Sequence, residues 1–277
     1  MSKIIVTHLS PDFDAIPAVW VLKKFHPDFA DAKVEFVPAG TTLDGKPAGA
    51  DPDIVHVDTG GGPFDHHANN DYTCAAKLAW EWLKKERGIE DVAVDRLMEQ
   101  IVAFDHAKDL SWPDAADDKY ELMLPALIAG WKMTYPGNYQ KIVELGLVAT
   151  EAAYAVMRSK VDAEKALEQG VEFATPWGKG IAVETRNEGT LQVGEKLGYA
   201  LVCKKDPKRG SVRIYGRSDF GVNLTAAFET VKKLDTEAGW FLHASKCLLL
   251  NGSAKNPTMK PTKLSLEEVI EVLKDKT

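Results

Sequence analysis

The residue types best suited to chemistry in this chain lie in a short stretch around residues 58–67. Asp58 ends an apolar run, and seven residues later Asp65, His66 and His67 follow one another. Burying a carboxylate and two imidazoles so close together is costly unless something compensates them, and a metal ion does so readily. A solvated turn is the alternative interpretation, because Asp, Asn, Gly and Pro are ordinary turn residues.

A second polar cluster, near the N-terminus, favours the metal site. Residues 3–7 are an apolar run typical of a strand, and His8, Asp12 and Asp14 follow it directly. A similar run at residues 54–57 precedes the first cluster. Loops at the carboxyl ends of the strands of an open α/β sheet line one crevice, so we expect both clusters to face the same space.

In order, these motifs resemble those of the DHH phosphoesterase superfamily, which is named for its Asp-His-His triplet. The matching segments are His8-x-x-Pro-Asp12-x-Asp14, the strand-end Asp58, and Asp65-His66-His67. Members include bacterial single-strand exonucleases, family II inorganic pyrophosphatases and phosphodiesterases of nano-RNA or cyclic dinucleotides. The resemblance implies a metal-dependent hydrolase of phosphate esters.

The resemblance also implies a site for two divalent ions. Carboxylates mixed with imidazole favour Mn²⁺, with Mg²⁺ as the alternative. His8 and Asp12 would bind one ion, and Asp58 would bridge the pair. The ligands of the second ion would be Asp14, His66 and Asp105. Two ions roughly 3.5 to 4 Å apart can generate hydroxide and neutralise the attacked phosphoryl group.

Three further roles follow from the same resemblance. Asp105 comes directly after a predicted helix, where the superfamily has another metal-binding Asp, and Asp109 is the weaker candidate. His67, free of metal, would contact the phosphoryl or leaving oxygen. Asp65 would orient an imidazole from outside the metal ligands. The implied catalytic residues are His67, Asp58 and Asp65.

Candidate substrate ligands lie in the last third of the chain. Arg213 and Arg217 share one face of a predicted strand, since side chains alternate along a strand. The basic residues before them suit phosphate, although exposed turn charges explain such a cluster as well. These basic residues are Lys204, Lys205, Lys208 and Arg209.

A lone His243 closes the segment Gly-Trp-Phe-Leu-His, and a lone His of this kind is more often structural than functional. Superfamily members of the DHHA1 type hold substrate with a glycine-rich segment that ends in His, whereas most of those glycines are missing here. The resemblance implies that Arg213, Arg217 and His243 bind substrate. Residues 53–61, 241–245 and 251–253 are also similar to the melanocyte-proliferating-gene family of exonucleases, whose first motif has a different spacing.

The order of predicted elements indicates an α/β protein. Strands at 3–7, 33–37 and 54–57 alternate with a helix at 15–25, which predicts a parallel sheet. Helices are predicted at 73–87, 92–104 and 139–169, and short β-type runs begin near residue 171. We therefore predict a DHH-type metal-binding phosphoesterase domain at 1–170 and a smaller α+β, DHHA1-like substrate-binding domain at 171–277, with the active site in the cleft between them.

The composition limits the function classes. The net charge is −7, divided into −11 for residues 1–130 and +4 for the rest, which suits an enzyme on an anionic substrate or merely reflects solvated faces. Overall acidity argues against coating of long nucleic acid. No leader or membrane span is indicated, so a cytoplasmic protein is expected. The three cysteines are interpreted as core residues. They are Cys74, Cys203 and Cys247.

The expected function is hydrolysis of a phosphodiester or phosphomonoester in a nucleotide or short oligonucleotide. The expected partner is a small phosphorylated substrate or a short single-stranded oligonucleotide, with no membrane involved and an oligomer left open. A pyrophosphatase-like hydrolase is the alternative enzyme. A non-catalytic module that binds metal or nucleotide is the alternative from another class.

Overall fold

The computed structural model describes residues 3–68, 70–252, 256 and 258–274, and this part of the chain has an α/β fold, as predicted. Ser253, at the end of the 251–253 segment, lies outside the described residues. The strands are β1 Ile4–His8, β2 Lys33–Val37, β3 Ile54–His56, β4 Val171–Thr175, β5 Gly178–Glu184, β6 Leu201–Lys205, β7 Val212–Gly216, β8 Phe241–Leu242 and β9 Leu248–Asn251. The helices are α1 Ala15–Phe25, α2 Ala75–Arg87, α3 Val92–Asp105, α4 Leu124–Thr134, α5 Tyr139–Glu168, α6 Gly189–Lys196, α7 Thr225–Leu234 and α8 Leu266–Lys274.

The chain divides into two compact units between Arg158 and Ser159, inside the long helix α5. The first half of α5 buries Ile142 against the core of the first unit, and its last turns bury Leu167 in the core of the second. The sequence-based boundary near residue 171 corresponds to the start of β4 instead. The functional assignment of the two domains, and of an active site between them, stays a prediction.

A three-stranded parallel sheet in the order β2-β1-β3 forms the centre of the first unit. The central strand β1 buries Ile5 and Val6 completely, which is why its sequence is a continuous apolar run rather than an alternating one. Parallel pairing brings the carboxyl ends of β1 and β3 to the same edge. The loops that follow His8 and His56 therefore leave the sheet side by side.

A six-stranded mixed sheet forms the second unit, in the order β4-β5-β6-β7-β9-β8. The strands β5 and β6 are parallel and are joined through α6, whereas the other neighbours are antiparallel. This arrangement agrees with the predicted α+β character. The helices α6 and α7 and the strand β9 were not predicted from the sequence.

Helix α4 was also missed, because Pro125 interrupts its apolar sequence. The proline lies in the first turn of the helix, where no intrahelical partner is lost and its fixed φ suits the helix. All three cysteines are buried, as predicted. Among the described helices, none combines the length and the apolar character needed to cross a membrane.

Candidate metal centre

The predicted ligands of the second ion surround one ring nitrogen of His66. Its Nε2 atom lies 3.4 Å from Asp14 Oδ2, 3.6 Å from Asp58 Oδ1 and 3.6 Å from Asp105 Oδ2. These residues come from the loop after β1, the loop after β3, the Asp-His-His segment and the end of α3. Four separate stretches of sequence thus bring oxygen and nitrogen donors to one point.

The predicted ligands of the first ion meet beside this point. The His8 Nε2 atom lies 3.0 Å from Asp58 Oδ2 and 3.8 Å from Asp12 Oδ2. His8, Asp12 and Asp58 each offer a ligand atom within 4.8 Å of the others, and so do Asp58, His66 and His67. Asp58 belongs to both groups, which is the arrangement that a bridging carboxylate requires.

The backbone holds Asp58 in a conformation that is uncommon for a residue with a side chain. Its φ angle is +55°, in the left-handed region, and its N–H donates to the carbonyl of Phe64 at 2.8 Å. Gly60 and Gly61 follow with positive φ, and a Cβ on Gly60 would lie 2.8 Å from Thr42 Cγ2. The glycines therefore permit the tight loop that aims a buried carboxylate at the histidines.

The chemistry of these donors fits divalent cations. The Asp58 side chain is only 4% exposed. Its Oδ1 atom is buried and accepts no hydrogen bond from any described residue. A buried carboxylate oxygen without a partner is costly, and a cation between it and the neighbouring histidines would remove that cost. Carboxylate oxygens mixed with imidazole nitrogens suit Mn²⁺ or Mg²⁺.

Backbone amides fix the two N-terminal carboxylates in place. Asp14 accepts hydrogen bonds from the N–H groups of Ala75 and Ala76 at 2.7 and 2.8 Å. Asp12 Oδ1 accepts from the N–H groups of Asp14 and Ala15 at 3.0 and 3.1 Å. Each carboxylate thus caps the start of a helix, which leaves its orientation little freedom.

Asp65 contacts His67 rather than the other candidate ligands. Asp65 Oδ1 lies 2.8 Å from His67 Nδ1, and Oδ2 accepts from the Gly61 N–H at 2.7 Å. The His67 side chain is 65% exposed, whereas that of His66 is 13% exposed. This arrangement suits an imidazole that is oriented by Asp65 and open to a bound molecule.

The partly buried histidines His8 and His66 favour protonation when no cation is present. Burial lowers the pKa of His8, but its contacts with Asp58 and the Leu9 carbonyl raise that pKa to about 9. The pKa of His66 is also raised to about 9, chiefly by Asp58 and with a contribution from Asp14. Near neutral pH, protons therefore occupy nitrogens that a metal would need.

The carboxylates of the centre have pKa values shifted in opposite directions. Burial and the charge of Asp58 raise the pKa of Asp14 to about 7. Burial also acts to raise the pKa of Asp58, but the contacts with His66 and His8 hold it below its ordinary value. Burial raises the pKa of Asp105, against the opposing effect of His66. Asp58 therefore stays ionised more readily than Asp14 or Asp105.

We expect the affinity for Mn²⁺ to increase from about pH 6 to about pH 9, because each metal ligand must first lose its proton. His8 and His66 have pKa values near 9, so protons compete strongly at pH 6 and much less at pH 9. The expected gain is about tenfold per pH unit for each proton displaced. Titration calorimetry across this range measures it, and an affinity that does not change with pH would contradict the assignment of these ligands.

Three residues that the sequence analysis did not select also lie near the centre. His106 has a ligand atom within 4.8 Å of those of His66 and Asp105. Tyr72 packs on the His106 ring, with ring centroids 4.7 Å apart. Burial lowers the pKa of Lys132 on α4, and the Asp12 carboxylate opposes this shift, so the two charges are within electrostatic reach. No local pattern marks these residues, since each depends on contacts distant in sequence.

The predicted substrate ligands lie in the second unit and are already paired. Arg213 forms an ion pair with Glu188, and its side chain is 17% exposed. Arg217 Nε donates to Asp219 Oδ1 at 3.0 Å, and His243 Nδ1 lies 2.9 Å from Ser245 Oγ. Arg217 and Ser245 border one depression with a volume of about 660 Å³. Strand β7 ends at Gly216, so Arg217 lies just beyond the strand that carries Arg213.

The basic cluster before β7 does not form an open phosphate site. Lys204 is buried and pairs with Glu188 at 2.7 Å, and Lys205 Nζ donates to the Leu264 carbonyl at 2.6 Å. Neither lysine is an exposed turn charge, because both lie in strand β6. The commoner interpretation, exposed turn charges, is therefore wrong for these two residues.

Comparisons with known proteins place DHH proteins among the similar structures. The chain is similar to the DHH domain of a member of the s1p family of ribosomal proteins, at 12% identity over 98% of this chain and 86% of that chain, with a TM-score of 0.34. RecJ in complex with Mg²⁺ from Thermus thermophilus is similar at 10% identity over 99% of this chain and 49% of that chain, with a TM-score of 0.34. An uncharacterized protein from Helicobacter pylori is similar at 10% identity over 99% of both chains, with a TM-score of 0.28.

No protein-family model matches the sequence, and no curated protein matches it. The similar solved structures include DHH proteins. At these identities and TM-scores they say nothing about substrate or mechanism. The function of the chain has to be inferred from its own side chains.

Proposed function

We propose that this protein is a divalent-metal-dependent hydrolase that cleaves a phosphodiester or phosphomonoester in a nucleotide or short oligonucleotide. The observation that carries the proposal is the position of Asp58, whose two oxygens face two different groups of donors. Oδ2 faces His8 at 3.0 Å, and Oδ1 faces His66 at 3.6 Å. A carboxylate shared in this way suits two cations, and paired cations are typical of phosphoryl hydrolysis.

Bound divalent ions would supply an activated water and offset the charge of the phosphoryl group. The protein's own contribution is orientation. Asp14 and Asp12 are fixed by backbone amides, so the ligands need little rearrangement. His67, held by Asp65 and largely exposed, is placed to hydrogen-bond a phosphoryl or leaving-group oxygen.

The second unit supports an organic phosphate more than inorganic pyrophosphate. A small, highly charged substrate calls for several unpaired cations around it. Here Lys204 and Arg213 are both paired with Glu188, and Arg217 is paired with Asp219, so none of the three is an unpaired cation. We propose that Arg213, Arg217 and His243 contribute polar contacts to a larger substrate, of which the phosphate is one part.

The test is turnover with Mn²⁺ and with Mg²⁺ across a panel of substrates. The panel contains short RNA and DNA oligomers, cyclic dinucleotides, nucleoside phosphates and pyrophosphate, each with a chelator control. We expect hydrolysis of at least one nucleotide substrate, and none with the chelator. Pyrophosphate as the best substrate would replace the proposal with the pyrophosphatase alternative.

Metal binding is measured on the same samples by titration calorimetry and by the shift of the unfolding temperature. Two strong Mn²⁺ sites are expected. Metal binding without turnover of any substrate would contradict the hydrolase and favour a binding module. Absence of both would overturn the metal centre itself.

A further inference from the structure

Tyr72 is a large aromatic residue left exposed at the edge of the metal centre. Its side chain is 49% exposed, although it follows the Asp-His-His segment closely in sequence and lies just before helix α2. The ring packs against His106, with a centroid distance of 4.7 Å and an interplanar angle of 46°. Tyr72 thus presents apolar ring surface to solvent beside a strongly polar site.

His106 supports the Tyr72 ring from a fixed position. The His106 backbone N–H donates to the Val102 carbonyl at 3.0 Å and closes the last turn of α3. Its ring Nε2 lies 3.0 Å from the Thr73 carbonyl, which requires a hydrogen on that nitrogen. Thr73 directly follows Tyr72, so the His106 ring contacts both the Tyr72 ring and the backbone next to it. A supported ring loses little conformational entropy when a flat ligand packs on it.

This pair of rings adjoins the space in front of the metal centre. His66, His67, Asp105 and His106 border an open depression with a volume of about 580 Å³. All four residues belong to groups that could hold a metal, and His106 also packs against the Tyr72 ring. A phosphate bound near His66 would therefore place the rest of its molecule near Tyr72.

A cation completes the group. Lys108 Nζ lies over the Tyr72 ring, 5.5 Å from its centroid, and Lys108 belongs to the turn that follows His106. Aromatic rings close to cations are typical of sites for single-stranded nucleic acid, in which a ring stacks on a base and a cation pairs with a phosphate. Inorganic pyrophosphate has no flat apolar group that could stack on such a ring.

We propose that Tyr72 stacks on a nucleobase of the substrate and so selects base-bearing phosphates over inorganic or base-free ones, with Lys108 pairing with an adjacent phosphate. This inference rests on the proposed function, because it takes the phosphate to be bound at the metal centre. Base stacking tolerates every base, since each has a flat π face. The preference is therefore for the presence of a base, with little discrimination among the bases.

The test compares matched substrates that differ only in the base. One is a dinucleotide phosphodiester, and the others carry a base-free tetrahydrofuran unit at one position or at the other. The protein variants are Tyr72→Ser, which removes the ring, and Tyr72→Phe, which keeps it. Tyr135→Ser is the matched control, since Tyr135 is also exposed and lies at the end of α4.

We expect Tyr72→Ser to lower kcat/KM for the dinucleotide by about tenfold to a hundredfold. The same variant should leave one of the two base-free substrates nearly unaffected, and that substrate identifies the base that is stacked. Tyr72→Phe should behave as the wild type, within about twofold for stacking alone. An equal loss on all three substrates would assign Tyr72 a structural role instead, and no loss on any of them would also overturn the proposal.

Binding measurements test the stacking proposal independently of the hydrolase proposal. Dissociation constants of the 5′-phosphorylated dinucleotide and of inorganic phosphate are measured by titration calorimetry with Mn²⁺ present. If Tyr72→Ser weakens only the dinucleotide, the stacking site holds even for a protein without turnover. If both ligands are weakened alike, or neither is, the stacking proposal fails whatever the activity.

Discussion

Replacement of Asp58 by Asn is expected to lower kcat/KM for Mn²⁺-dependent hydrolysis by about a thousandfold or more, which corresponds to about 4 kcal/mol of transition-state stabilisation. The side chain is 4% exposed and faces both donor groups, so its loss weakens both cation sites at once. Asn retains the shape of Asp and tolerates the left-handed backbone at φ +55°. The variant therefore tests the charge more cleanly than Asp58→Ala, for which we also expect activity to be abolished.

The matched control is Asp109→Asn. Asp109 lies in the same unit, within the turn Lys108–Ser111, and was the weaker candidate for the metal-binding Asp after α3. Among the described residues it belongs to none of the groups that could hold a metal. We expect the activity of Asp109→Asn to be within about twofold of the wild type, because Asp109 is only partly buried and substitutions outside buried networks usually change little. The proposed mechanism would be wrong if Asp58→Asn kept activity within tenfold of the wild type and had an unchanged unfolding temperature.

The convergence of the metal ligands could be predicted because it depends on one rule of topology. The apolar runs that became β1 and β3 pair in parallel in a single sheet, and their carboxyl ends meet at one edge. His8 and Asp58 are the residues at or just after those ends, so their 3.0 Å contact follows from strand order. The apolar runs and this rule predict only that the two clusters lie together, whereas the roles of the individual ligands were implied by the resemblance.

The support of the site could not be predicted in the same way. The Tyr72 and His106 pair, and the approach of Lys132 to Asp12, join residues from different elements whose separation the local pattern does not encode. Helix α4, which carries Lys132, was hidden by a proline that is harmless in a first turn. The burial of Lys204 was not predicted either. A basic residue in a charged stretch is normally exposed, whereas Lys204 is buried and paired with Glu188.

Asp14 also stabilises the start of helix α2, and its replacement is expected to have a large effect on stability. Its carboxylate accepts the N–H groups of Ala75 and Ala76 at 2.7 and 2.8 Å, at the start of α2. Within the described part of the chain, the residue at the cap position of α2, Cys74, makes no capping hydrogen bond with its side chain. Asp14 thus caps a helix that begins 61 residues later in the sequence. A proposed metal ligand and a helix cap are thus combined in one buried side chain.

We expect Asp14→Ala to lower the free energy of unfolding by about 2 to 4 kcal/mol in the presence of a chelator, because two buried N–H groups lose their acceptor. The measurement is urea unfolding at about pH 5 and at about pH 8. Because the pKa of Asp14 is raised to about 7, its ionisation between these pH values disfavours the folded wild type, so the loss in the variant should be larger at about pH 5 than at about pH 8. With Mn²⁺ present the difference from the wild type should widen, since the variant also loses a cation ligand. Activity should be lost as well.

Asp12→Ala is the comparison variant for Asp14→Ala, because it removes a helix cap from an exposed position rather than a buried one. Asp12 accepts two N–H groups at the start of α1, but its side chain is 50% exposed, so water can replace it. Its expected cost in the chelator is about 0.5 to 1.5 kcal/mol, the range of an ordinary cap. If Asp14→Ala destabilises the metal-free protein no more than Asp12→Ala does, Asp14 is a ligand only, and the start of α2 is held by something other than this carboxylate.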